Sequence, residues 1–150
     1  MTLAPTSSHG SSATGVITNA VVRGDLSANF TTTSTAFTDL TGATVTIAAA
    51  TGDKLLLAFE GAVSNSGAGG AVQFTMVTVT GAVNIVGTNI APGPNFMTVV
   101  LTSIYTVASG DISGGNVAVK IRTASDSGAN TVTIRNATYT WQLYAVNLLH

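Results

Sequence analysis

Two stretches of this chain alternate with a two-residue period, and that alternation restricts the fold more than any other feature. In Lys54–Asn65, KLLLAFEGAVSN, the residues Leu55, Leu57 and Phe59 fall on one face and Lys54, Leu56, Ala58 and Glu60 on the other. In Ala71–Thr80, AVQFTMVTVT, Val72, Phe74, Met76 and Thr78 alternate with Gln73, Thr75, Val77 and Val79. Successive side chains of a β-strand point to opposite faces of the pleat, so both stretches read as strands with one face toward a core. Between them lies Asn65-Ser66-Gly67-Ala68-Gly69-Gly70. A glycine-rich loop of about six residues between two such strands predicts an antiparallel hairpin.

The rest of the chain repeats the pattern. Val16–Val22 reads as a short first strand, and the Thr-rich Leu26–Thr35 as an edge strand. Ala43–Ala48 places Val45 and Ile47 opposite Thr44 and Thr46. Val77–Val86 runs through Gly81, expected at a bulge or short turn, and Asn89–Asn95 (NIAPGPN) is a loop. Phe96–Val107 alternates Thr98, Val100, Thr102 and Ile104 with Val99, Leu101, Ser103 and Tyr105. Both of its faces are substantially apolar, which suits a strand covered by its own core on one side and by a partner subunit on the other. Asn116–Thr123 turns Val117, Val119 and Ile121 inward. Thr131–Ala137 sets Val132 and Ile134 against Thr131, Thr133 and Arg135. Tyr139–Leu149 sets Trp141, Leu143 and Ala145 opposite Tyr144 and Val146. No segment carries a helical period, and strands recur at roughly 8–14-residue spacing between turn signals. The expected architecture is all-β: one antiparallel β-sandwich or barrel spanning 16–150, preceded by an irregular, Pro/Gly/Ser-rich N-terminal arm over 1–15.

Composition narrows the function. Of the 150 residues only 7% are charged, against about 25% in an ordinary globular chain. Mean hydropathy is +0.46 with no apolar run approaching a membrane span. Low charge of this kind suits a surface that is covered in the working state by copies of the chain or by a larger particle. A net charge of −1 with five Lys plus Arg offers no basic footprint for nucleic acid. The first fifteen residues, MTLAPTSSHGSSATG, lack the basic start and apolar core of a signal peptide. With no cysteine, there are no disulfides, thiolate metal sites or cysteine nucleophiles.

Catalytic chemistry is not legible either. The two histidines, His9 and His150, sit at the two ends of the chain, so a Ser-His-Asp triad is not expected, and G-x-S-x-G is absent. Five of the six acids fall in or near turns, where Asp bonds nearby backbone N–H groups. A calcium site on Asp111 or Asp126 with loop carbonyls is the one metal arrangement left open. Glu60 is the only glutamate and lies on a strand. Arg23-Gly24-Asp25 reads as a turn rather than an integrin motif, and the sequons at Asn29 and Asn136 as chance. The chain is expected to be a non-enzyme, without cofactor or metal.

The run TTSTAFTDLTGATVTI, a Gly-Asp turn, KLLLAFEGAVSN and SGAGGAVQF, with the closing TVTIRNATYTWQLYAVNLL, resembles small β-domains of tailed-bacteriophage virions. These occur in head-decoration and tail-fibre proteins and resemble jelly rolls of the tumour-necrosis-factor/C1q type. The resemblance covers roughly residues 28–149. It implies a jelly-roll homotrimer whose apolar inner strands pack near a threefold axis. Val100, Ile104, Tyr105 and Trp141 are the residues expected at that interface. It also implies a capsid decoration or cement protein that binds the major capsid protein or other virion subunits, made in the host cytoplasm and resident on the capsid surface. The arm residues Thr2, Leu3, Ala4 and Pro5, with Val16 and Ile17 where the arm joins the domain, would tie it to the capsid or a neighbouring subunit. The alternative is a receptor- or glycan-binding tip of a tail or head fibre, using the loops Asn65–Gly70, Asn89–Asn95 and Ala124–Asn130. No coiled-coil or collagen-like stalk accompanies the domain to carry such a tip.

Overall fold

A computed structural model describes residues 18–23, 29–135 and 141–148. The arm residues Thr2, Leu3, Ala4 and Pro5, together with Val16 and Ile17, lie outside the described residues, as do Gly24 and Asp25 of the RGD triplet. Among the described residues the strands are β1 (Thr18–Arg23), β2 (Phe30–Thr32), β3 (Thr38–Ala48), β4 (Lys54–Asn65), β5 (Val72–Thr78), β6 (Asn84–Ile90), β7 (Met97–Thr106), β8 (Ile112–Ser113), β9 (Asn116–Ser125), β10 (Val132–Ile134) and β11 (Gln142–Asn147). One 3-10 turn, Ser109–Asp111, follows β7.

The strands form two antiparallel sheets. In the first, β4 is flanked along Lys54–Val63 by β7. Its other flank pairs with β11 over Leu55–Glu60 and with β10 over Val63–Asn65. Outside these, β1 pairs with β11 and β2 with β10. The second sheet runs β3-β9-β5-β6, with β8 added beside β9. The result is an all-β antiparallel sandwich, as the alternation predicts, with the jelly-roll-like layering that the resemblance implies.

The core fills the space between the sheets. From the first sheet Leu55, Leu57, Phe59, Leu101, Trp141, Leu143 and Ala145 point inward. From the second come Val45, Ile47, Phe74, Met76, Val117, Val119 and Ile121. These are the inward positions given by the alternation, and a strand in the opposite register would carry its whole apolar set into water. Phe59 and Phe74 meet across the sandwich with ring centroids 5.9 Å apart and planes tilted by 38°, a geometry that aromatic pairs favour.

Strand partnership departs from the sequence expectation. β4 and β5 occupy opposite sheets and share no ladder, because β5 pairs with β6 and β9. The loop Asn65–Gly70 is therefore a crossover between layers and not a hairpin. The reason is physical: Phe59 and Phe74 face the same core from its two sides. Alternation says that each strand has a buried face, but not whether the next strand lies beside it or across from it.

At one end of the sandwich the two sheets are joined through a buried carboxylate. Asp111, 1% exposed, accepts a hydrogen bond from the Tyr105 hydroxyl of β7. It accepts others from the Thr78 hydroxyl of β5 at 3.0 Å and the Ala108 N–H at 3.0 Å. Thr78 in turn accepts from the Val83 N–H at 3.0 Å, which fastens the β5–β6 turn. Gly81 is required there, because a Cβ at that position would lie 2.2 Å from Asp111 Oδ1. Burial pushes the Asp111 carboxyl up, but the Tyr105 hydroxyl, the Ala108 N–H and the Thr78 hydroxyl together outweigh it and hold the group below the usual range. Tyr105 is pushed up to about 12 by burial, by its bond to Asp111 and by the charge of that carboxylate.

Both shifts predict pH dependence. A depressed carboxyl contributes stability that is present above its unfolded pKa and lost as pH falls through the folded value; a raised phenol contributes stability that is lost as pH rises from 10.0 toward about 12. Asp111→Asn strands at least one of three donors and is expected to cost about 1–3 kcal/mol at neutral pH. It should also flatten the acid limb of a urea-midpoint-against-pH profile. An acid limb as steep as that of the wild type would show that other carboxylates control it.

Candidate functional site

The outer faces of the two sheets differ in chemistry. On the second sheet, Thr44, Thr46, Gln73, Lys120 and Arg122 face outward. Asp39 pairs with Lys120 at 2.7 Å and with Arg122 Nε at 3.1 Å, and Arg122 also donates to the Phe37 carbonyl at 2.8 Å. This is an ordinary solvated face whose ion pairs are worth little individually.

The outer face of the first sheet is more apolar, although Lys54 and Glu60 of β4 also lie on it. Three rows cross it at right angles to the strands. Leu56 of β4 lies between Ile104 of β7 and Val146 of β11; Ala58 between Thr102 and Tyr144; and Glu60 between Val100 and Gln142. Val100 and Ile104 are 62% and 63% exposed, the most open of the large apolar residues among those described. β7 carries no charged residue and no proline. Its far edge has no strand paired to it among the described residues. Natural edge strands usually carry a charge or a proline that blocks further association, and this one does not.

Of the four residues expected at a subunit interface, two lie on this face. Val100 and Ile104 point out of it, as their shared parity requires. Tyr105 does not: it turns inward with Val99 and Leu101, half-buried, and spends its hydroxyl on Asp111. Trp141 is 1% exposed in the core of a single subunit, so its side chain has no area left for a partner. Leu56, Tyr144 and Val146 belong to the face instead. They were legible from the alternation of β4 and β11, since each is the outward neighbour of an inward core residue.

A second candidate lies at the other end of the sandwich, where the three loops named for the fibre-tip alternative meet. The Asn65 N–H donates to the Gly93 carbonyl at 2.7 Å, the Ser66 N–H to the Thr131 carbonyl at 3.0 Å, and the Asp126 N–H to the Ala71 carbonyl at 3.1 Å. The Thr131 N–H returns a bond to the Ser66 hydroxyl at 2.8 Å. The Asn65 amide holds the Gly67 N–H and the Ala71 carbonyl, each at 3.0 Å. A Cβ on Gly67 would sit 2.4 Å from Asn130 Oδ1, so the loops interlock at that position with no room for a larger residue. The Asp126 carboxyl is held below its usual range, first by the Ala71 backbone N–H and then by the Asn130 and Asn65 amides. Asp111 and Asp126, the two acids considered for calcium, lie at opposite ends of the sandwich. Among the described residues no cluster of three His, Cys, Asp or Glu side chains is placed to hold a metal ion.

No protein-family model matches the chain, and no curated protein matches it. Solved structures do. Eiger TNF from S. frugiperda superposes with a TM-score of 0.56 at 9% identity, over 88% of this chain and 92% of that one. At that identity the likeness is one of fold: the jelly-roll sandwich of a tumour necrosis factor, built from an almost unrelated sequence.

Proposed function

We propose that this chain is a non-enzymatic structural protein of a phage virion. In this reading it assembles as a homotrimer through the outer face of the β4–β7–β11 sheet and decorates the capsid. The observation that carries the reading is that face itself: three rows of mainly apolar side chains with Val100 and Ile104 open to solvent, in a chain of which 7% is charged. Patches of this kind mark association surfaces. A partner burying about 800 Å² on each side is enough for a stable contact. The tumour-necrosis-factor fold supports self-association, and the resemblance of the sequence to phage head-decoration domains supports the place of work. Three copies held together would turn weak contacts with a repeating shell into firm attachment through effective concentration.

The test is co-sedimentation with expanded empty phage capsids, using the full chain and a form lacking Met1–Gly15. The full chain is expected to pellet with the shells, and the shortened form to remain a folded trimer in the supernatant. Shortened protein that pellets equally well would remove the arm from the mechanism. Full-length trimer that never pellets would remove the decoration role.

A further inference from the structure

Each side of the sandwich ends in two strand edges, and the two sides differ. On one side β1 and β3 lie against each other. β1 carries Arg23 at its end, and β3 carries Asp39 with a register shift beside it. On the other side β6 and β7 lie against each other, and neither has a charged residue or a proline. β6 is short and holds Gly87, whereas β7 runs through MTVVLTSIYT without a glycine. A charge, a kink or a glycine spoils a strand edge as a template for a further strand, and β7 has none of them.

The register fixes which backbone groups of β7 are free. The Val107 N–H donates to the Asp53 carbonyl at 2.9 Å, and the ladder runs on from the pair Lys54–Thr106 to the pair Val63–Met97 without a shift. In an antiparallel ladder every second residue bonds to a given neighbour. The odd-numbered residues of β7 therefore bond to β4, and Thr98, Val100, Thr102, Ile104 and Thr106 aim their N–H and C=O groups away from it. β4 agrees. The Leu148 N–H donates to the Lys54 carbonyl at 2.8 Å, so the even-numbered residues of β4 serve β11 and the odd-numbered ones serve β7. All five of those β7 residues are exposed.

These five residues form nearly the same string in both directions, Thr-Val-Thr-Ile-Thr and Thr-Ile-Thr-Val-Thr. A twofold axis through Thr102 would set Val100 against Ile104 of a second β7, Thr98 against Thr106, and Thr102 against its own copy. Cross-strand pairs matched in this way stabilise antiparallel neighbours. Moving the axis by one residue to either side sets Thr against Val or Ile instead. A twofold axis also brings each charge against its like, and this rim has none to repel. A full ladder would exchange about ten backbone hydrogen bonds between the two copies.

We propose that the free edge of β7 pairs antiparallel with the same edge of a second copy, centred on Thr102. Edge pairing uses backbone groups in the plane of the sheet, and face packing uses side chains perpendicular to it. The contact therefore adds to the face assembly proposed above without depending on it. A single strand edge is a smaller contact than the ~800 Å² per partner of a standard interface. It leaves assemblies apart in dilute solution and joins them where a surface lines them up.

Introduced cysteines test the pairing, because the chain has none of its own. A bonded antiparallel pair holds its Cα atoms about 5.5 Å apart, within disulfide reach. Full-length Thr102→Cys, concentrated and mildly oxidised, is expected to form linked pairs, and light scattering should then give at least twice the mass of the reduced sample. That doubling starts from about 45 kDa if face packing builds three-chain assemblies and from 15.0 kDa if it does not, so the two readings fail separately. Thr98→Cys and Thr106→Cys should each stay unlinked alone and link when mixed, since each lies opposite the other. Adding Thr102→Pro to both members of that mixture should abolish the link. The N–H it removes is one that β4 does not use, and circular dichroism records that the fold is kept. The proposal is overturned if oxidised Thr102→Cys keeps the mass of the reduced protein, if Thr98→Cys alone links as readily as Thr102→Cys, or if the mixed pair fails to link.

Discussion

Val100→Asp is expected to convert the assembled protein into a folded single chain. Val100 is 62% exposed in one subunit, so an aspartate there meets water in the monomer, and surface changes of that kind fall within about 0.5 kcal/mol of neutral. In a cyclic assembly the same position is covered in every copy. Each interface would then bury a carboxylate beside Glu60, its cross-strand neighbour on β4, adding like-charge repulsion to desolvation. A loss of about 2–4 kcal/mol per interface, typical of disrupted central contacts, is enough to disperse the complex at micromolar concentration. Thr44→Asp supplies the control, because it adds the same charge to the outer face of the other sheet, where Lys120 stands opposite it on β9. Sedimentation velocity on the two variants, with circular dichroism to confirm that both are folded, separates the faces. A Val100→Asp protein that sediments as the wild type does would mean that the first sheet's outer face is not the contact.

The second large effect lies in the core. Trp141→Ala is expected to cost about 3–5 kcal/mol, the range for emptying a buried aromatic site. Trp141 is the bulkiest of the fully buried side chains. A substitute at Gly61 would place its Cβ 3.2 Å from Trp141 Cβ, and one at Gly42 would place it 3.8 Å from the indole ring. Gly61 thus lets its strand approach the start of the Trp141 side chain closely, while the backbone at Gly42 packs against the indole ring. Trp141→Phe should cost much less. It retains most of the apolar area and removes an indole N–H that has no hydrogen-bond partner among the described residues. Urea unfolding of the two variants gives the comparison, and equal midpoints would place the indole in a site that relaxes freely.

The pair of residues at 100 and 141 shows what the sequence could convey. Parity was readable: Val100 and Ile104 point out of β7, and Leu143 and Ala145 of β11, with Trp141 just before it, point in, as the two-residue period requires. Tyr105 and Trp141 have the inward parity, and their burial in one subunit takes them off the face. β4 spans Lys54–Asn65 as read from the sequence, although its alternation runs only to Glu60 and Gly61–Asn65 are buried throughout. β6 was obscured, because Asn84–Ile90 is an edge strand with Gly87 in its middle and only intermediate or exposed positions. Without a fully buried face it shows no hydrophobic rhythm.

The start of β3 was hidden for a different reason. The register shifts between Asp39 and Thr44, and a bulge breaks the alternation that would have revealed it. Partnership was not readable at all. That β4 and β5 lie in opposite sheets, that Asp111 gathers Tyr105, Thr78 and Ala108, and that Arg135 stacks on Phe96 are all consequences of tertiary closure. The spacing of 33 residues between Thr78 and Asp111 follows no local rule.

Self-association through one sheet face is tested most directly by the mass of the purified chain in solution. Light scattering at micromolar concentration is expected to give about 45 kDa, three chains of 15.0 kDa each, unchanged on tenfold dilution. A stable, folded species of 15.0 kDa would contradict it, and the exposed Val100 and Ile104 would then need another occupant.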